Sequence, residues 1–128
     1  MNLFNIFFKK SSKNFVSDIT KTNIYNAWEN VEFALNSKTP SQLRQALITA
    51  DKCLDNALRD MVKGESLGQR LKNGQHFFDD VTYQNIWRAH KIRNNLVHEA
   101  GYEPSYVSLI NSINDLKKGI IKLGVDIK

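Results

Sequence analysis

The segment RAHKIRNNLVHEAGY, residues 88–102, concentrates hydrogen-bonding and titratable groups: Arg88, Lys91 and Arg93, His90 and His98, and the adjacent Asn94 and Asn95. An imidazole moves protons near neutral pH, a guanidinium offers a planar fork of donors, and an amide side chain both donates and accepts. Such a set suits an active site that holds an anion and shuttles a proton. It also occurs on solvated helix surfaces, so placement decides between the two readings.

At 100° per residue, Ile86, Ala89, Ile92, Leu96 and Val97 define an apolar face. Tyr83, Trp87, His90, Asn94 and His98 step by four and three and form an adjoining strip. Arg93 falls inside the apolar sector. A guanidinium keeps its proton, so one that is partly buried needs a carboxylate or carbonyl partner. Asp51 and Asp55, one turn apart on the flank of the preceding apolar stripe, are the candidates, and such a pair could simply lock two helices together. His90 reads as a polar flank or rim group, and His76 sits in a loop-like stretch. Trp87 and Tyr83 read as core edge or as faces on which bases stack. Glu99 either tunes His98 or is solvated.

The elements that must position these groups are helical nearly throughout, with no alternating strand pattern. Residues 22–36 carry Ile24, Trp28, Val31, Phe33 and Leu35 at near-helical spacing. Pro40 breaks the chain and Ser41 is the expected N-cap of the next helix, which Gly64 ends. Its stripe runs Leu43, Ala46, Leu47, Ala50, Leu54, Ala57, Leu58 and Met61. A short helix or turn fills residues 65–74, a further helix covers residues 80–98, and Ser105 opens the last. There Val107, Ile110, Ile113, Leu116, Ile120 and Leu123 are expected to face inward. The expectation is an all-α, up-and-down bundle of four main helices with short extra helical turns. Residues 1–20 read as a partly apolar arm and residues 21–128 as a single helical domain.

A chain of 128 residues, 41% hydrophobic and 24% charged, has the composition of one globular domain. The one cysteine, Cys53, excludes an internal disulfide, fits a reducing cytosol and leaves no Cys pair for zinc. A cytoplasmic location is expected. The formal charge of +5 favours polyanionic partners, although the lysines are scattered. Leu3, Phe4, Ile6, Phe7 and Phe8 form an apolar patch with its positive charge afterwards, too short for a span of roughly 20 residues and ordered wrongly for a secretory signal. It suits packing on the domain, a subunit contact or a membrane surface. No membrane span is expected.

The string RNNLVH resembles the signature of the HEPN superfamily: Arg, four to six residues, then His, often with a polar residue directly after the Arg. Arg93, Asn94 and His98 match it at the shortest spacing. WRAHKIRNNLVHE, following ADKCLD at residues 50–55, is also similar to small bacterial HEPN-like proteins, and the likeness covers residues 24–123. The resemblance implies cleavage of RNA by acid–base chemistry on its own 2′-OH, leaving a 2′,3′-cyclic phosphate and a 5′-hydroxyl. Neither metal nor cofactor is called for. It makes His98 the base or acid, Arg93 the group that binds the scissile phosphate, and Asn94 the group that orients phosphate or imidazole. Asp51, Asp55, His90 and Glu99 would support them, and Lys91, Arg88 and Trp87 would contact RNA. The implied partners are RNA, a second copy in a homodimer and an antitoxin protein, as for a toxin or phage-defence effector. The alternatives are a non-catalytic HEPN-like module for dimerisation or nucleotide and RNA binding, and a plain structural bundle. Arg93 and His98 lie about 140° apart on an ideal helix, so one helix cannot easily aim both at one atom. Either the helix ends near His98, or two copies build a composite cleft.

Overall fold

The computed structural model describes residues 15–128. They form α1 (Asp18–Ser37), α2 (Pro40–Arg59), α3 (Leu67–Asn73), a 3-10 turn (Gln75–Phe77), α4 (Asp80–His98) and α5 (Tyr106–Lys122). Among the described residues there is no strand, and no helix is long and apolar enough to cross a membrane. The apolar patch of residues 3–8 lies outside the described residues.

Four helices begin on a side-chain cap. Ser17, Ser66, Asp79 and Ser105 accept the backbone N–H groups of Thr20, Gln69, Thr82 and Ser108. Each such bond satisfies a donor that the first helical turn leaves open. At Asp79 the Thr82 hydrogen bond also holds the carboxyl below its ordinary range. The second helix starts differently from expectation. Ser41 lies inside it, Thr39 is the N-cap without a side-chain bond, and Pro40 takes the first helical position, where its missing N–H costs nothing. That helix also stops at Arg59, before Gly64.

The helical body begins earlier than residue 21. Val16 is already in the core, and the Ser17 N–H and hydroxyl reach Asp60 Oδ2 at 3.0 and 2.9 Å. This contact ties the start of α1 to the end of α2.

The apolar stripe of α2 makes it the central helix, packed against both α1 and α5. Leu43, Leu47, Ala50, Leu54, Ala57 and Leu58 are wholly buried. From α5 come Leu109, Ile113, Leu116 and Ile120, and α4 packs against α5 in turn. Gly119 permits that approach, because a Cβ there would lie 2.6 Å from Ile86 Cδ1. After α5 the tail returns to the core with Val125 and Ile127 buried. Three expected inward residues point out: Phe33, Val97 and Val107 are exposed, while Leu109 takes the core position near Val107.

Candidate functional site

The face that α2 turns toward α4 carries a carboxylate where the stripe would otherwise continue. Asp51 is buried one residue after the fully buried Ala50, and His90 is buried one residue after Ala89 on α4. His90 Nδ1 lies 3.0 Å from Asp51 Oδ1 and 3.2 Å from Oδ2. Arg93 approaches the same carboxylate, its Nε 3.5 Å from Oδ2. That Nε is buried without a hydrogen bond, so its link to Asp51 is an ion pair. Arg93 Nη1 donates to Asn94 Oδ1 at 3.0 Å, and Asn94 Nδ2 faces His90 Nε2 at 3.4 Å.

These contacts close a ring of four side chains, Asp51, His90, Asn94 and Arg93, and its polarity is determined. The guanidinium has no acceptor, so only the Asn94 oxygen can face it. The Asn94 amide nitrogen then faces His90, which must present a lone pair at Nε2. In neutral His90 the proton therefore sits on Nδ1, directed at Asp51.

Asp55 is not the partner of Arg93. Arg70 of α3 grips it with two prongs, Nε to Oδ1 at 2.6 Å and Nη2 to Oδ2 at 3.0 Å, and Arg59 approaches Oδ2 at 3.4 Å. Arg70 Nη1 also donates to the Gly64 carbonyl. Gly64 has φ +150°, and a Cβ there would meet Arg70 Cγ at 2.8 Å, so the loop can close over this arginine only as glycine. Arg70 went unremarked in the sequence, yet it carries the signal that singled out Arg93: an arginine within an apolar set, here beside Leu67 and Leu71.

The two carboxylate clusters form the floor of one cleft of about 960 Å³. Lys52, Arg59, Lys91 and Arg93 give it a basic lining, and Trp87 forms a wall. The indole is edge-on to His90, ring centres 5.9 Å apart, and to Tyr83 at 6.3 Å. Gly68, in the first turn of α3, lies against it, where an added Cβ would make an ordinary van der Waals contact with the ring at 3.4 Å.

The cleft thus unites Asp51, Asp55, Trp87, His90, Lys91, Arg93 and Asn94. His98, Glu99 and Arg88 are exposed and do not line it. α4 stays helical through His98, and Glu99 caps it in an extended conformation, its N–H on the Asn95 carbonyl. The angular separation of Arg93 and His98 therefore stands, and one chain does not aim both at a single atom. Arg88 donates to Asn85 and acts on Asp115 of α5, whose carboxyl burial pushes up against the pull of Lys118 and Arg88. Among the described residues, no group of three or more His, Cys, Asp or Glu side chains could hold a metal ion. Compared with family models, curated proteins and solved structures, the chain finds no match.

Proposed function

We propose that this protein is a metal-independent endoribonuclease of the HEPN kind, acting through the RNA 2′-OH, with the setting of a toxin or phage-defence effector. The observation that carries the reading is the position of Arg93 and Asn94, the first residues of the motif, in a cleft with a basic lining. Arg93 spends Nη1 on Asn94 and sets Nε against Asp51, while its Nη2 donors have no partner among the described residues. Those donors are held ready for a phosphate oxygen by a side chain already fixed at its base. Lys52 and Lys91 add charge for the flanking phosphates, and Trp87 offers an aromatic wall.

In this reading the helices of 17 to 20 residues are the four-helix body of the HEPN domain, and α3 with the 3-10 turn is an insertion that closes the cleft. His98 serves as acid or base from the opposing copy of a homodimer in which two α4 helices face each other. Arg93 receives the charge that grows on the phosphate as the 2′-oxygen attacks, and the 5′-oxygen leaves with a proton.

A second reading, a module that binds RNA or nucleotides without cutting them, is favoured by the closed ring. Asp51, His90 and Asn94 already meet partners within it, and His98 lies outside the cleft. Incubation of RNA with the purified chain in EDTA separates the two. Cleavage by the wild type, lost in His98→Gln and sharply reduced in Arg93→Lys, supports the enzyme. Binding with no cleavage at any pH from 6 to 8 supports the module.

A further inference from the structure

Asp55 Oδ2 is shared by two guanidinium groups, and one of them is in excess. Arg70, whose side chain is 6% exposed, already meets both carboxylate oxygens, Nε on Oδ1 and Nη2 on Oδ2. A buried cation in two-pronged contact matches the single charge of the carboxylate. Arg59 stands 3.4 Å from the same Oδ2 with its side chain 62% exposed, so its charge is held at the cleft without being cancelled there. An exposed pair of this kind contributes little to stability. Arg59 also ends a row. Lys52, Asn56 and Arg59 follow one another at steps of four and three, which places them on one face of α2, and all three line the cleft. Lys91 lines it from α4, and neither lysine has an ion-pair partner among the described residues. With Arg70 and Arg93 the lining holds five cations. Three carboxylates oppose them: Asp51 and Asp55, each already paired with an arginine, and Glu65 of the loop before α3. With His90 neutral, the cleft keeps a positive surplus.

The surplus is spaced as well as basic. Asp51 holds Arg93 and Asp55 holds Arg59, and the two aspartates are one helical turn apart, about 6 Å along α2. That is the scale on which phosphates succeed one another along a single strand. Trp87, on the α4 wall of the same cleft, can stack only a base that is free of a pairing partner. We infer that Arg59, assisted by Lys52, is a second phosphate station: the cleft holds two successive phosphates of a single-stranded nucleic acid, the first at Arg93 and the second at Arg59. The inference rests on the reading of the cleft as an RNA site and adds a station that the Arg-to-His motif does not contain.

Binding of the full-length chain to a fluorescein-labelled oligothymidylate tests it, because a strand without 2′-OH groups is not cut by the proposed chemistry. For single strands the logarithm of affinity falls with the logarithm of salt concentration by about 0.7 for each phosphate contacted. Arg59→Gln, at an exposed position, should therefore lower that slope by about 0.7 between about 50 and 200 mM NaCl, and Arg59→Gln with Arg93→Gln by about 1.4. Lys122→Gln removes the same charge at an exposed position outside the cleft and should leave the slope unchanged. An unchanged slope in Arg59→Gln overturns the second station. A double variant with the slope of Arg59→Gln alone also overturns it, since both arginines would then serve one phosphate. Polyglutamate that displaces the oligonucleotide at equal charge makes the cleft a site for acidic protein segments and overturns the assignment to nucleic acid. The nuclease reading fails separately. RNA left intact by a chain with the expected slopes removes cleavage and keeps both stations, whereas RNA cut by a chain whose slope ignores Arg59 keeps cleavage and removes the second.

Discussion

His90 Nδ1 sits 3.0 Å from an oxygen of Asp51, a residue 39 positions earlier, with both side chains nearly excluded from water. The contact joins α2 to α4, and Arg93 and Asn94 complete the ring, Arg93 through an ion pair to Asp51 and a hydrogen bond from Nη1 to Asn94. A buried carboxylate is tolerable only where it is paired and hydrogen-bonded, and Asp51 has both a ring N–H and a guanidinium beside it.

The ring fixes a tautomer. Neutral His90 is expected to carry its proton on Nδ1, and long-range ¹H–¹⁵N correlations of the imidazole read this directly. Replacing Asn94 with Ala removes the group that requires a lone pair at Nε2, so the population of the other tautomer should rise. A wild-type His90 protonated on Nε2 alone would mean that the ring is wired differently.

The pairing of charges can be read as coupling energies. Asp51 with Arg93, and Asp55 with Arg70, should each show interaction energies of about 1–3 kcal/mol in double-mutant cycles of thermal or denaturant unfolding. Asp55 with Arg93 should be additive to within about 0.5 kcal/mol. Single removal of either aspartate should cost about 3–5 kcal/mol, because each leaves a largely buried cation unpaired. Glu103→Ala, at an exposed position, should change stability by less than about 0.5 kcal/mol. Strong coupling between Asp55 and Arg93 would contradict the geometry.

How much of this was legible in the sequence follows from what each signal depends on. Helical periodicity and the α2 stripe depend on local spacing, and they gave the all-helical bundle. Arg93 stood out because a charge in an apolar sector demands a partner, and the sequence narrowed that partner to Asp51 or Asp55. The choice between them rests on where Arg70 lies. Its position follows from the turn at Gly64, a tertiary matter that no spacing within α2 or α4 encodes. His90 read as a rim residue because its wheel position borders the polar strip, yet Asp51 across the interface gives it a reason to be buried. Phe33 and Val107 fit helical periodicity as well as their buried neighbours do, so periodicity alone could not separate them.

Cys53 gives a pH dependence with a definite sign. Burial lifts its thiol from 9.0 to about 11, while in the unfolded chain it ionises near its ordinary value. The folded state therefore holds the proton longer. This contribution to stability is intact below pH 9 and is lost as pH rises from 9 to 11. Cys53→Ala has no such proton, so relative to the wild type it should gain about 2 kcal/mol over that interval. A constant difference between the two from pH 8 to 11 would show that the thiol is solvated. At pH 8 the folded thiol should also resist alkylation until denaturant is added.

The proposed composite site would need two copies. Light scattering at tens of micromolar is expected to give twice the 14.7 kDa of one chain. A negative charge introduced on the outward side of the end of α4, Val97→Glu, should shift the mass toward one chain without lowering the unfolding temperature, since Val97 is 48% exposed. A strictly monomeric wild type would remove the route by which His98 meets Arg93.

The most direct measurement uses two oligonucleotides that differ by a single atom. One is an RNA that the wild type cuts in EDTA, and the other carries hydrogen in place of the 2′-OH at the cleaved nucleotide. The proposed chemistry has the 2′-oxygen as its nucleophile, so the first should yield a 2′,3′-cyclic phosphate and a 5′-hydroxyl end, and the second should stay whole at that position. His98→Gln should slow the first reaction by about 10²–10⁴-fold. Intact RNA in every wild-type reaction between pH 6 and 8, or cleavage of the deoxy-substituted position, would contradict the account.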